Sequence, residues 1–245
     1  MPFTPAHPAI VLPLLKCRHL SATGLIVGSV SPDFEYFLKA SVSGVHGHTL
    51  LGIFYFDLPV SVMVALVFHW LIKESFIQNL PQYFQIRLLA LCSLNFKQYI
   101  SMHYLGFISS VLLGTASHIF WDSFTHNGRY FVKAIPLLTS THIELNGAKY
   151  PLWYALQHAS TAVGLTIILI YFLRAEPTSE YGFHKPNLGY WLALVILTVG
   201  LFYLRFSLFT IRYDIGNVVV TLMSALMVSF CLLGLYFKLR LKNKP

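Results

Sequence analysis

Five stretches of nearly unbroken apolar residues dominate this chain: 50–72, 104–121, 151–173, 188–206 and 216–237. Each lies near the ~20 residues a helix needs to cross the hydrocarbon core of a bilayer. Inside that core a backbone can satisfy its N–H and C=O groups only within a helix or a closed barrel. The pattern therefore predicts an all-α fold, a polytopic membrane helical bundle of about five transmembrane helices. Two further apolar runs precede the first span, at 10–15 and 20–30, and both are too short to cross. They read as re-entrant or interfacial helices. The first opens with Pro5 and Pro8, with Thr4 or His7 as a cap, and the second stops at Ser31-Pro32-Asp33. Residues 73–103 are mixed, with an interfacial helix expected at 86–96. The polar segments 127–150 and 174–187 are connectors.

Composition strengthens the membrane assignment: 56% of residues are hydrophobic and 11% charged, where soluble domains carry roughly 25% charged residues. The formal charge of +8 comes from 17 basic against 9 acidic residues. Lys238, Arg240, Lys242 and Lys244 crowd the end of the last span, which marks a cytoplasmic anchor rather than a nucleic-acid surface. Elsewhere the basic residues are nearly balanced across the two faces, so this tail sets a cytoplasmic C-terminus. Cys17, Cys92 and Cys231 are far apart and form no CxxC pair, so neither a disulfide framework nor a thiolate metal site is expected. The first residues lack a basic segment before the apolar run, which argues against a removable signal peptide.

The polar positions that interrupt this pattern carry the chemistry. Residues four apart share a helix face, so His118, Asp122 and His126 form one stripe at the end of the second span. Asn127-Gly128 follows and suits a left-handed helix stop. Imidazoles and a carboxylate one turn apart are ligands for Zn²⁺, Mn²⁺ or Fe²⁺. An isolated HxxxD is more often an ordinary polar helix end, but this one has company. With five spans, 1–49 and 122–150 emerge on one side, which gathers His7, Asp33, His46, His48, His142, Glu144 and His158 toward the stripe. His69 and His103 fall toward the other. Asp122 is the expected bridging or terminal carboxylate and Asp33 a second one; these two are the expected catalytic residues. Asp57, two turns into the first span, is expected behind the ligands with His46 and Gln157. Arg129 and Lys133 are candidates for holding an anionic substrate group.

The run Thr4…His7-Pro8, then Gly28-Ser29-Val30-Ser31-Pro32-Asp33, His46-Gly-His48-Thr49, His118-xxx-Asp122 and Gln157-His158 resembles a bacterial family of multi-pass membrane proteins of unknown function. That family is related to the membrane-bound metal-dependent hydrolases and, more distantly, is similar to zinc-dependent phospholipase C. The likeness covers roughly residues 1–165. It implies His7, Asp33, His48, His118 and Asp122 as metal ligands, with His126 and His158 added. It also implies a bacterial inner-membrane location.

The expectation is a single integral membrane domain, 1–245, with a metal-site core in 1–173 and two further spans with a basic tail in 174–245. The expected function is hydrolysis of a phosphoester, in a membrane lipid or lipid-linked headgroup, by water activated on one to three divalent ions, Zn²⁺ first. The alternative is a non-enzymatic scaffold or assembly protein stapled by metal. A metal or proton carrier using Asp57, His158 and His69 ranks last, because the last two spans offer almost no polar groups. Nucleic acid is not an expected partner.

Overall fold

The computed structural model describes residues 3–177, 185–210 and 212–242. His184 and Lys244 of the basic tail lie outside the described residues. Five helices are long and apolar enough to cross a membrane: Ile53–Gln78, Phe96–Ala134, Leu152–Leu173, Leu188–Leu208 and Ile215–Arg240. They are called spans one to five below. The protein is all-α apart from one hairpin, and it is an integral membrane protein.

The chain divides into two compact units. The first comprises Met1–Asp33, Val45–Ser61 and Tyr104–Arg174. The second comprises Phe34–Gly44, Val62–His103 and Ala175–Pro245. The expected core 1–173 is thus shared, since 34–44 and 62–103 cluster with the last two spans.

The first unit begins with a 3₁₀ helix, Thr4–Lys16, interrupted by Pro8 and Pro13. Proline removes the N–H that an α-helix interior uses, consistent with the irregular winding. The cap expected at Thr4 or His7 is not there: Phe3 occupies the cap position with no side-chain cap bond. Span three lies along this helix, with the Ala6 carbonyl and side chain against Gly164, and the Phe3 N–H donates to Thr161 Oγ1 at 3.0 Å.

Next comes the short helix Ala22–Gly28, capped by Ser21, whose side chain accepts from the Gly24 N–H. Its Gly24 and Gly28, one turn apart, face span two so closely that a Cβ on Gly28 would collide with the Val111 carbonyl oxygen. Within a bilayer, helices associate by such small-residue packing, because lipid tails are as apolar as leucine. Hydroxyls stitch the seam. The Ser21 N–H donates to Ser110 Oγ at 2.7 Å, and Ser31 and Thr115 hydroxyls lie 3.0 Å apart.

The second span's helix, Phe96–Thr125, has non-helical backbone at His103, so the stretch from Tyr104 is the part that matches the apolar run 104–121. Beyond the helix end, Gly128 adopts φ +77°, the left-handed stop expected from Asn127-Gly128. Residues 142–151, read as connector, form an antiparallel hairpin, β1 (His142–Leu145) paired with β2 (Ala148–Pro151). Its turn is Asn146-Gly147, both at positive φ, the dipeptide that two-residue hairpins prefer.

In the second unit, spans four and five pack together around Tyr190, Leu194 and Leu233, and the Thr198 hydroxyl donates to Ser229 Oγ at 3.2 Å. The Ser224 hydroxyl donates to the Phe37 carbonyl at 2.7 Å. Instead of one interfacial helix at 86–96, this unit holds two short ones, Gln82–Leu88 and Ala90–Ser93. The buried Lys73 ammonium donates to the Leu91 and Leu94 carbonyls, each at 2.8 Å, and fixes the connector there. Cys17, Cys92 and Cys231 are free thiols.

Candidate metal centre

Four separate pieces of the first unit converge at one place. The 3₁₀ helix brings His7, the turn Ser31–Asp33 brings Asp33, the following loop brings His48, and span two brings His118, Asp122 and His126. His7, Asp33, His118 and Asp122 are buried, and His48 and His126 keep only 8% and 19% of their side chains exposed. Gly47 makes the His48 approach feasible, because a Cβ there would strike the Pro32 carbonyl oxygen, one residue before Asp33.

The ligating atoms face one another. Asp122 Oδ1 lies 3.5 Å from His7 Nε2 and 3.4 Å from His126 Nδ1. Its other oxygen lies 3.4 Å from His48 Nε2 and 3.3 Å from His118 Nε2. Asp33 Oδ1 lies 3.3 Å from His48 Nε2 and 3.7 Å from His118 Nε2. The His7 ring stacks on His118 with centroids 3.8 Å apart. His7 Nδ1 and Nε2, His118 Nε2, Asp33 Oδ1, Asp122 Oδ1 and His126 Nε2 are buried without a hydrogen-bond partner. Buried polar atoms are ordinarily paired, so this many orphans facing one another are what a shared ligand would satisfy. Atoms bound at about 2.0–2.2 Å to one tetrahedral ion stand about 3.3–3.6 Å apart, which is the spacing seen here. Two triads satisfy the geometry of a metal site, His7–His118–Asp122 and Asp33–His48–His118.

The supporting bonds point the same way. His118 Nδ1 lies 2.8 Å from the Ser29 carbonyl, which can only accept, so this nitrogen carries a proton and Nε2 is the atom turned to the two carboxylates. The Thr4 hydroxyl donates to Asp33 Oδ2 at 2.6 Å, leaving Oδ1 for the cluster. Arg129 Nη1 donates to the His48 carbonyl at 3.0 Å and holds the His48 loop.

Electrostatics respond to the convergence. Burial, reinforced by neighbouring His118, pushes His7 down to about 3, so it is neutral and ready to donate a lone pair. Burial alone would lower His48 too, but the close carboxylates of Asp122 and Asp33 outweigh it and raise this imidazole to about 9. Burial would raise Asp33, but the nearby His118 and His48 imidazoles hold it below the ordinary carboxylate value. In the metal-free chain a proton on His48 therefore stands where two buried carboxylates demand positive charge.

Other expected residues lie elsewhere. His158 is exposed and meets Tyr154 edge-on at 4.7 Å, while its neighbour Gln157 occupies the buried face of span three together with Gly164. Consecutive helix residues point about 100° apart, so only one of the two can face inward. His46 Nδ1 lies 2.9 Å from the Tyr55 hydroxyl. Asp57 is fully buried in the segment Ile53–Asp57, which packs on Ser31–Asp33. Lys133 is exposed on the helix Tyr130–Ala134, and His142 and Glu144 are exposed in the hairpin. Thr4 and Ser29 were not among the expected site residues. Ser29 contributes its backbone, on which side-chain spacing is silent, while Thr4 had a signal in its place three residues before His7.

The family described as Domain of unknown function (DUF4184) matches residues 1–235. The chain belongs to that family. No curated protein and no solved structure matches it. The match runs through span four and most of span five, so it includes residues of both units.

Proposed function

We propose that this chain is a membrane-embedded, metal-dependent hydrolase of phosphoesters, related to the membrane-bound metal-dependent hydrolases and distantly to zinc-dependent phospholipase C. One observation carries the reading: four imidazoles and two carboxylates from four distant segments converge, and His7, His118, His126, Asp33 and Asp122 each keep a buried polar atom without a hydrogen-bond partner. An imidazole-rich set with carboxylates favours Zn²⁺, with Mn²⁺ or Fe²⁺ as alternatives. Because Asp122 turns its two oxygens toward different histidines, it is suited to bridge two ions. An ion held there supplies Lewis-acid polarisation and a water of lowered pKa.

The protein's own residues do the rest. Asp33 and Asp122 set the charge of the ion pocket, and Thr4, Ser29 and Arg129 keep Asp33, His118 and His48 aimed. His48 and His126 form its accessible edge. Lys133 is the exposed cation nearest in sequence that could meet an anionic group. The centre sits at the end of a membrane span, so a phosphoester in a lipid headgroup reaches it without leaving the membrane. The proposed location is the bacterial inner membrane.

A second reading, a metal-stapled scaffold without turnover, is favoured by the near-complete burial of His7, Asp33, His118 and Asp122. Elemental analysis of detergent-purified protein, followed by a phosphoester screen, separates them. About one to three equivalents of Zn, Mn or Fe are expected in wild type, falling in Asp122→Ala and His118→Ala, with hydrolysis lost in parallel. Metal without turnover on diester, monoester and phospholipid substrates selects the scaffold. No metal in any preparation, even after loading, removes both.

A further inference from the structure

The second unit contains a cavity of about 740 Å³ whose lining includes none of the candidate metal ligands. Its size falls in the range of about 300–1,000 Å³ typical of small-molecule sites. Its lining changes character along its length. Lys185, Arg240, Gln78 and Asn79 line one part, where span one ends, span five ends and span four begins. Ala193, Leu197 and Leu233 line the other, inside spans four and five. From Arg240 back to Leu233 is seven residues, about 10 Å of helix, so the apolar part extends about 10 Å from the cationic mouth toward the membrane interior.

The mouth is built rather than incidental. Asn79 Nδ2 donates to the Ser75 carbonyl at 2.8 Å, its Oδ1 accepts the Asn187 N–H at 3.1 Å, and its carbonyl accepts Trp191 Nε1 at 2.8 Å. These bonds clamp the start of span four to the end of span one. Among the described residues no carboxylate lines the cavity, and neither Lys185 nor Arg240 forms an ion pair. Two cations without a counter-ion among the described residues, amides beside them and an apolar part below are complementary to one ligand chemistry, a phosphate carrying an alkyl chain. Basic recesses between transmembrane helices bind anionic headgroups in this way.

We propose that this cavity is a binding site for an anionic phospholipid. Lys185 and Arg240 hold the phosphate, and the acyl chain lies along Ala193, Leu197 and Leu233. The site is independent of the metal centre and involves no reaction.

The test uses full-length protein in a neutral detergent, with thermal stability and native mass spectrometry as readouts. The probes are phosphatidylglycerol, phosphatidylcholine and inorganic phosphate. Phosphatidylglycerol is expected to stay bound and raise Tm, while the other two do neither. Arg240→Gln and Lys185→Gln should each weaken retention about fivefold, since a cation near an anionic lipid is worth about that factor. Ala193→Phe, which fills the apolar part and leaves both cations, should abolish retention of the lipid. Metal content should not change in any of the three variants, which keeps this result separate from the metal-centre reading. Equal stabilisation by phosphatidylcholine overturns the anionic requirement. Equal stabilisation by inorganic phosphate overturns the lipid assignment. Undiminished phosphatidylglycerol retention in all three variants overturns the site.

Discussion

If the proposed metal binds, proton and metal compete for the same place beside His48. Its folded pKa of about 9 lies above the ordinary 6.5. In metal-free protein, its stabilisation is therefore complete below pH 6.5 and is lost as pH rises through 9. His7 behaves oppositely. Its folded pKa of about 3 is depressed, so stability is retained above pH 6.5 and lost as pH falls toward 3. Chelator-treated wild type is expected to lose Tm on the alkaline side between pH 6.5 and 9.5, and His48→Gln to flatten that limb. An unchanged alkaline limb in His48→Gln contradicts the assignment. Adding Zn²⁺ at pH 7.5 should release about one proton from His48, read with an indicator dye in weak buffer. At this scale the sequence was legible where periodicity governs. His118, Asp122 and His126 follow from four-residue spacing, whereas Ser29 enters through its carbonyl, and Arg129, expected to hold an anionic substrate group, also donates to the His48 carbonyl.

The helix Ala22–Gly28 and span two form the seam on which the metal centre depends, since Ser29 ends the one and His118 sits on the other. A Cβ on Gly28 would meet backbone atoms of Val111, which no side-chain rotation can relieve. Gly28→Ala is expected to cost about 1–3 kcal/mol, by forcing the two helices apart. Metal content should fall with it, because the Ser29–His118 bond lengthens. Ile26→Leu, on the exposed side of the same short helix, should change neither Tm nor metal content. Equal behaviour of the two variants contradicts the seam's role. The short apolar run was legible as a helix too short to cross, but its glycine face became meaningful only with span two beside it. The hairpin was missed although Asn146-Gly147 announced its turn, because both strands are short and nearly all exposed, without the alternation that marks a half-buried sheet.

For the whole molecule, five crossings would put the two ends of the chain on opposite sides of the membrane, and the basic residues at the end of span five predict a cytoplasmic C-terminus. A fluorescent protein fused at the C-terminus should fluoresce in bacterial cells, and an alkaline phosphatase fused there should be inactive. An active phosphatase reverses the orientation and puts the metal ligands on the cytoplasmic face. The sequence by itself determined the fold class and the five spans, because crossing hydrocarbon demands long apolar helices and leaves their signature in every window. It also named His7, Asp33, His48, His118, Asp122 and His126, together with others that do not join them, since imidazoles and carboxylates interrupting apolar segments are conspicuous. Only the tertiary structure decided which of the candidates meet. Gln157 rather than His158 faces inward, Thr4 serves Asp33 rather than a helix end, and residues 34–44 and 62–103 join the last two spans. Those outcomes depend on backbone approach and helix rotation, which are set by packing between segments far apart in the chain and leave no periodic mark within any one of them.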